Sequence, residues 1–262
     1  MTPDGDVRLE RRSAAIAWIV VDRPSARNAM SKAMWLRFGE HVRSLAGDPA
    51  VRVLVVAGGP EAFVAGADIA EFAAFAGAAD GLAYEDRVEA ALREFESLRL
   101  VTIAAVGGSC TGGGAILAAA CDLRFGSANA RVGVPIARTA ANITSAANIA
   151  RIAAVVGSSK ALEWILTARL SDAAGAERAG FFSAVLPDYG ALLDYTTTAA
   201  EAIARNAPLT MLGAKELVRR LRDAGLRDVE DRDVMERCYG SEDFREGVRA
   251  FIERRSPDFT GR

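Results

Sequence analysis

Three consecutive glycines, Gly112, Gly113 and Gly114, separate a β-branched apolar run from an alanine-rich one in "VTIAAVGGSCTGGGAILAAACDLRF", residues 101–125. Ordering a glycine costs more backbone entropy than ordering any other residue, so a bare triplet at the entrance to a helix needs a reason. Two reasons are open at this point. The triplet either makes a tight strand-to-helix turn in which side chains would clash, or exposes N–H groups that bind an anion or a developing oxyanion at the positive end of the helix dipole.

The surrounding pattern is that of an α/β chain. Residues 14–24 ("AAIAWIVVDRP") and 51–59 ("VRVLVVAGG") are short, β-branched and closed by turn formers, which predicts buried strands. Between them Ser31 is a candidate N-cap, Met34, Phe38, Val42 and Leu45 recur at helical spacing, and Gly47 with Pro49 marks the stop. A helix over 82–98, a strand over 101–108 and a helix over 115–120 follow, then more extended chain in "DLRFGSANARVGVP". Beyond about residue 147 the sequence reads as mostly helical. The expected organisation is an α/β core over 1–190 and a helical region over 191–262.

With 262 residues, 51% of them hydrophobic, the chain can bury a large core, and its 32 basic against 34 acidic residues favour neither nucleic acid nor an anionic membrane as partner. Cys110, Cys121 and Cys238 are odd in number and have no CxxC spacing, which argues against a disulfide framework and a zinc site and for a reducing compartment. No signal-peptide pattern or long apolar run is present, so the expected location is the cytoplasm.

Several chemistries lack their residues. His41 is the only histidine and sits beside the apolar face of a predicted helix, so it is read as a packing residue rather than the base of a serine or cysteine hydrolase. "GGSCTGGG" has Thr111 where a nucleophile elbow requires glycine. No Gly-Lys-Ser/Thr follows the triplet, and Leu117 stands where a dinucleotide fingerprint requires its third glycine. No spaced cluster of metal ligands appears. A second small-residue turn, Ala65, Gly66 and Ala67 in "FVAGADIAEF", closes the preceding strand in a similar way. Two such turns supply the backbone N–H pair that an oxyanion hole needs.

Four segments in order resemble the crotonase (enoyl-CoA hydratase/isomerase) superfamily. "DRPSARNAMS" is similar to its R-P-x-x-x-N-A-x-S element, "FVAGADIAEF" to its F-x-A-G-A-D-[IL] turn, "GGSCTGGGAILAAACDLRF" to its N-G-x-x-x-G-G-G-x-E-L-A-x-x-C-D element, and "SEDFREGVRAFIERRSPDFTGR" to its C-terminal signature. The resemblance implies a spiral of ββα turns with C-terminal helices that build trimers or hexamers. It implies an acyl-CoA thioester as ligand and no other cofactor. By motif position the thioester carbonyl receives the N–H groups of Ala67 and Gly113. Coenzyme A contacts fall at Ala65, Asp68 and Ile69, and at Phe251 and Arg254 for a CoA on a neighbouring subunit; a solvated charge is the alternative for Arg254.

The sequence departs from the family pattern at its chemistry. The two glutamates of the family's hydratases are replaced by Ile116 and Ile136, and no acidic residue occurs between Asp122 and Glu163. Neither isoleucine transfers a proton, so two-carboxylate hydration is unsupported. Candidate substitutes are the polar cluster Arg138, Asn142 and Thr144, and Tyr84, Glu85 and Glu89 on the helix that often covers the pocket. Arg138 is a candidate for a substrate carboxylate or a subunit ion pair. Three functions stay open: an enolate-forming lyase or isomerase with another acid/base group, a decarboxylase that uses Arg138, and an acyl-CoA binder with weak catalysis.

Overall fold

Two sheets share the core of the computed structural model, which describes residues 5–140, 142–224, 241–253, 255 and 257–262. The larger has the order β1-β2-β3-β5-β7-β10 and the smaller β4-β6-β8-β9. In the larger, β1 (Asp6–Arg11) and β2 (Ile16–Asp22) form an antiparallel hairpin, and β3 (Val53–Ala57), β5 (Val101–Val106), β7 (Leu123–Ser127) and β10 (Ala184–Leu186) continue from β2 in parallel. β3 and β5 are buried along their whole length. That burial on both faces explains why they read as continuous apolar runs rather than alternating ones.

The smaller sheet holds β4 (Ala62–Val64), β6 (Ser109–Thr111) and β8 (Arg131–Gly133) in parallel, with β9 (Ser171–Asp172) antiparallel to β8. Each turn of chain therefore visits the larger sheet, then the smaller, then a helix. β3 and β4 lead to α2 (Ala78–Glu96), β5 and β6 to α3 (Gly113–Ala120), and β7 and β8 to α4 (Ala146–Thr167). This repetition of ββα turns is the crotonase-like α/β spiral, and it stacks the β4 and β6 turns side by side.

Helix α1 (Lys32–Ala46) forms as its sequence predicts: Ser31 Oγ accepts from Met34 N at 3.3 Å, and Met34, Phe38, Val42 and Leu45 are buried. Each of these side chains contributes roughly 1.5–3 kcal/mol by leaving water. His41, on the same helix, places Nε2 2.8 Å from the carbonyl oxygen of Val7, so its ring ties α1 to the hairpin. Helix α2 starts at Ala78, four residues before the predicted start. α4 is interrupted at Gly157 (φ 77°, ψ 155°), where the backbone leaves helical geometry.

After β10 the described chain is helical: α6 (Tyr189–Ala204), α7 (Pro208–Ala224) and α8 (Glu242–Glu253); α5 (Ala173–Arg178) precedes β10. Lys215 Nζ on α7 donates to Asp122 Oδ2 at 2.9 Å, and Asp122 also accepts from Thr102 N at 2.7 Å. The aspartate that ends the glycine motif thus fastens the end of α3 to β5 and to α7. Arg254 and the side chain of Phe251 lie outside the described residues. Among the described residues no helix is long and apolar enough to cross a membrane.

Candidate active site

The site begins in the turn after β2. Arg27 and Asn28 both have positive φ (50° and 59°), a conformation that asparagine tolerates better than most residues. Asn28 is 4% exposed. Its Oδ1 accepts from Arg23 N at 2.7 Å and its Nδ2 donates to the carbonyl of Ala62 at 2.7 Å. The chain leaving this turn pairs with the turn after β4: Met30 N donates to Gly66 O (2.8 Å), Asp68 N to Met30 O (3.0 Å) and Ala65 N to Arg27 O (3.2 Å). Arg23 Nη1 reaches Asp68 Oδ2 at 2.7 Å, and Asp68 Oδ1 accepts from Ala70 N. Asp68 is therefore engaged in holding its own turn.

These bonds use the N–H groups of Ala65 and Asp68 and leave that of Ala67 without an acceptor among the described residues. The glycine triplet faces it. Gly112 has φ 55° and ψ −120°, a conformation in which side chains are strained, and it precedes the first residue of α3. Gly113, at the first position of α3, has no acceptor for its N–H among the described residues either. A Cβ on Gly113 would meet nothing of the chain closer than Gly66 Cα at 3.8 Å, and Ala67 N would stand 3.9 Å away. Two unused donors on adjoining turns, one of them at a helix start, are the components of an anion or oxyanion site.

The two turns open on a cavity of about 110 Å³. Gly113, Ala67, Ile116 and Ile136 all lie on its wall. The isoleucines make the wall apolar where the family pattern has carboxylates. Glu85 and Tyr84, from α2, line the same cavity, and among the described lining residues Glu85 is the only charged side chain. Ala65, Ile69, Asn142, Thr144 and Asn148 line it as well.

Glu85 Oε2 accepts from Thr144 Oγ1 and from Ser145 N, each at 3.2 Å. Burial pushes its carboxyl above the ordinary glutamate range, and the neighbouring Glu89 charge adds to that, while the Thr144 and Ser145 bonds oppose it. Tyr84 packs edge-on against Phe72 (centroids 5.0 Å apart), and burial raises its phenol well above the usual range. Tyr84 is thus a neutral wall residue.

Two of the predicted candidates do not reach this wall. Arg138 is exposed and absent from the cavity lining, so the polar cluster read from the sequence divides at this point. Glu89, one helical turn beyond Glu85, points instead to Arg151, whose Nη1 lies 2.5 Å from its Oε2, and to Arg93 at 2.6 Å. Burial alone would raise the Glu89 carboxyl, but the two guanidinium hydrogen bonds outweigh it and hold the group below the glutamate range. The shared-face spacing of Glu85 and Glu89 is thus not a carboxylate pair: one lines the cavity and the other is an ion-pair anchor.

Sequence reasoning did not single out Asn148 or Arg151, which are 1% and 2% exposed. The signal was available, since Thr144, Asn148 and Arg151 recur at four- and three-residue spacing along the start of an otherwise apolar helix. A larger cavity, about 760 Å³, lies behind α3 between Cys121, Arg124 and the α7 residues Lys215 and Arg222. It contains neither Ala67 nor Gly113, and its α7 wall ends where residues 225–240, outside the described set, begin.

Residues 11–262 match the family model for enoyl-CoA hydratase/isomerase. A probable enoyl-CoA hydratase of Rhizobium meliloti is 35% identical over 266 aligned positions, covering 97% of this chain and 98% of the relative. The 2,3-dehydroadipyl-CoA hydratase of Escherichia coli is 32% identical, covering 96% and 97%. The crystal structure of an enoyl-CoA hydratase/carnithine racemase from Magnetospirillum magneticum superposes with a TM-score of 0.90 at 32% identity, covering 98% of this chain and 96% of that one. Sequence and fold agree over nearly the whole length, and the chain belongs to the enoyl-CoA hydratase/isomerase family.

Proposed function

We propose that this protein is an enzyme that forms an enolate from an acyl-CoA thioester, with the N–H groups of Ala67 and Gly113 receiving the carbonyl oxygen and Glu85 as the single proton-transfer group. The observation that carries the reading is that Glu85 is the one charged side chain on the described wall of the cavity that also holds both turns and both isoleucines. Removing an α-proton moves negative charge onto the thioester oxygen, and fixed backbone donors stabilise it without reorganising; one such donor is worth roughly 3–4 kcal/mol in a comparable hole. A carboxyl held above the ordinary glutamate range by burial is suited to take that proton and to return it.

One carboxyl serves a reaction in which the same group removes a proton from one carbon and delivers it to another, as in migration of a double bond. Hydration with separate acid and base carboxyls has no second group here, since Ile116 and Ile136 occupy both positions. The decarboxylase reading loses its cation, because Arg138 is off the wall. CoA would enter along Ala65 to Ile69, and subunit contacts through the C-terminal helices would assemble a trimer or hexamer.

A test independent of the natural substrate is exchange of the α-protons of butyryl-CoA in deuterated water, followed by mass spectrometry. Enolate formation predicts exchange by the wild type and a loss of at least about 10²-fold in Glu85→Gln. Binding of butyryl-, crotonyl-, 3-hydroxybutyryl- and malonyl-CoA with neither exchange nor turnover would replace this reading by that of an acyl-CoA binder whose pocket Ile116 and Ile136 have made apolar.

A further inference from the structure

A continuous chain of hydrogen bonds runs from a buried ion-pair cluster to the Glu85 carboxyl. At one end Arg151, from α4, lies between Glu89 and Glu96 of α2: its Nη2 donates to Glu96 Oε2 at 2.8 Å and to Glu89 Oε1 at 3.1 Å. Arg222 of α7 donates to Glu96 Oε1 at 2.5 Å. These contacts tie the α4 guanidinium to two carboxylates of α2, one of which α7 also holds. Arg151 Nη1 then donates to Asn148 Oδ1 at 2.6 Å, Asn148 Nδ2 lies 2.9 Å from Thr144 Oγ1, and Thr144 Oγ1 lies 3.2 Å from Glu85 Oε2.

The direction of every bond in this chain follows from its buried end. A guanidinium has donors and no acceptor, so the atom of Asn148 that faces it must be the oxygen. The amide nitrogen therefore faces Thr144 and donates, and the threonine oxygen accepts. The one hydroxyl proton of Thr144 is then directed to Glu85 Oε2, which also takes the Ser145 N–H at 3.2 Å. With two donors aimed at Oε2, the proton of a neutral Glu85 belongs on Oε1.

Building on the assignment of Glu85 as the proton-transfer group, we infer that Arg151, Asn148 and Thr144 are positioning residues that fix Glu85 Oε2 as an acceptor and so make Oε1 the oxygen that takes and releases the proton. Their arrangement sets the orientation of the carboxyl and its protonated oxygen. It also holds the carboxylate form in reach despite burial, because hydrogen bonds donated to the charged form favour it. The charged group that bears on Glu85 is Glu89 on its own helix, which opposes ionisation, while the Asn148 amide also favours the carboxylate directly; the remaining described titratable wall residue is Tyr84.

The experiment is a carbon NMR titration of Glu85 in protein labelled at glutamate side-chain carboxyls, with the Glu85→Gln spectrum identifying the resonance. Thr144→Val removes a hydrogen bond to the charged form and is expected to move the Glu85 midpoint up by about one pH unit, with Thr144→Ser restoring it. Asn148→Asp keeps the shape and the contact with Arg151 but presents an acceptor to Thr144, drawing its hydroxyl proton away from Glu85. The added charge and the loss of the amide's own hydrogen bond raise the midpoint in both backgrounds, but the part that acts through the hydroxyl is missing on Thr144→Val, so the shift should be smaller there. A midpoint unmoved in folded Thr144→Val, or an Asn148→Asp shift of equal size in both backgrounds, overturns the inference. The titration needs no turnover: if Glu85→Gln exchanged butyryl-CoA protons at the wild-type rate, the catalytic reading would fall while these arms still decided the hydrogen-bond chain.

Discussion

A Cβ placed on Gly114 would stand 1.9 Å from the carbonyl oxygen of Val64, whereas one placed on its neighbour Gly113 would touch nothing closer than 3.8 Å. Adjacent glycines of one triplet therefore answer to different constraints. Gly114 lets α3 lie against the backbone of β4, Gly112 supplies a positive φ, and Gly113 is bare although the chain's own packing does not require it. Gly114→Ala is expected to destabilise the fold by about 1–3 kcal/mol or more, since only backbone could give way. Gly113→Ala is expected to leave the melting temperature close to wild type and to weaken acyl-CoA binding, because its methyl would occupy the cavity. Thermal unfolding together with CoA-thioester calorimetry separates the two; equal loss of stability in both variants would refute the division.

Asn28 is expected to matter to the site without touching a ligand. Its side chain binds Arg23 N and the carbonyls of Ala62 and Phe63, and the same turn pairs through Met30 with Gly66 and Asp68. Asn28→Ala deletes three hydrogen bonds, two of them buried, and places a less tolerant residue at φ 59°. A loss of about 2–4 kcal/mol in denaturant unfolding is expected. Preservation of stability would mean that the Ala67 turn holds itself.

The spiral was legible in the sequence to the extent that its strands were long and apolar. β2, β3 and β5 announced themselves, and α1 did so down to its cap and its buried face. β4 and β6 did not: each has three residues, too few for a period of two to show, and the sequence predicts no strand at either. The candidate site was legible as motifs to the extent that Ala67, Gly113, Ile116 and Ile136 line one cavity. What sequence could not divide was Glu85 from Glu89. Helical spacing puts them on a common face, but only the position of Arg151, 62 residues beyond Glu89, makes one an ion-pair partner and leaves the other to the cavity. Arg138 and Thr144 were likewise inseparable as a polar cluster until α4 began at Ala146 and carried Thr144 toward α2 while Arg138 stayed at the surface.

The two glutamates should show opposite effects on stability. Glu85 has a raised carboxyl, so the folded state holds its proton more tightly than the unfolded chain does. Its contribution is present below the ordinary glutamate range and is lost as pH rises through the folded value. Glu89 is depressed by Arg151 and Arg93, so its contribution is present above the ordinary range and is lost as pH falls through the folded value. At neutral pH, Glu85→Gln is therefore expected to leave the protein as stable as wild type or more so, the amide oxygen still accepting from Thr144 and Ser145 without a buried charge. Glu89→Gln is expected to cost about 1–3 kcal/mol, because Arg151 keeps Glu96 but loses a charged partner. Urea unfolding of both variants at mildly acidic and at neutral pH provides the comparison. The gap between them should narrow as the pH falls, and a Glu85→Gln variant that was strongly destabilised at neutral pH would show that this carboxyl serves the fold rather than the cavity.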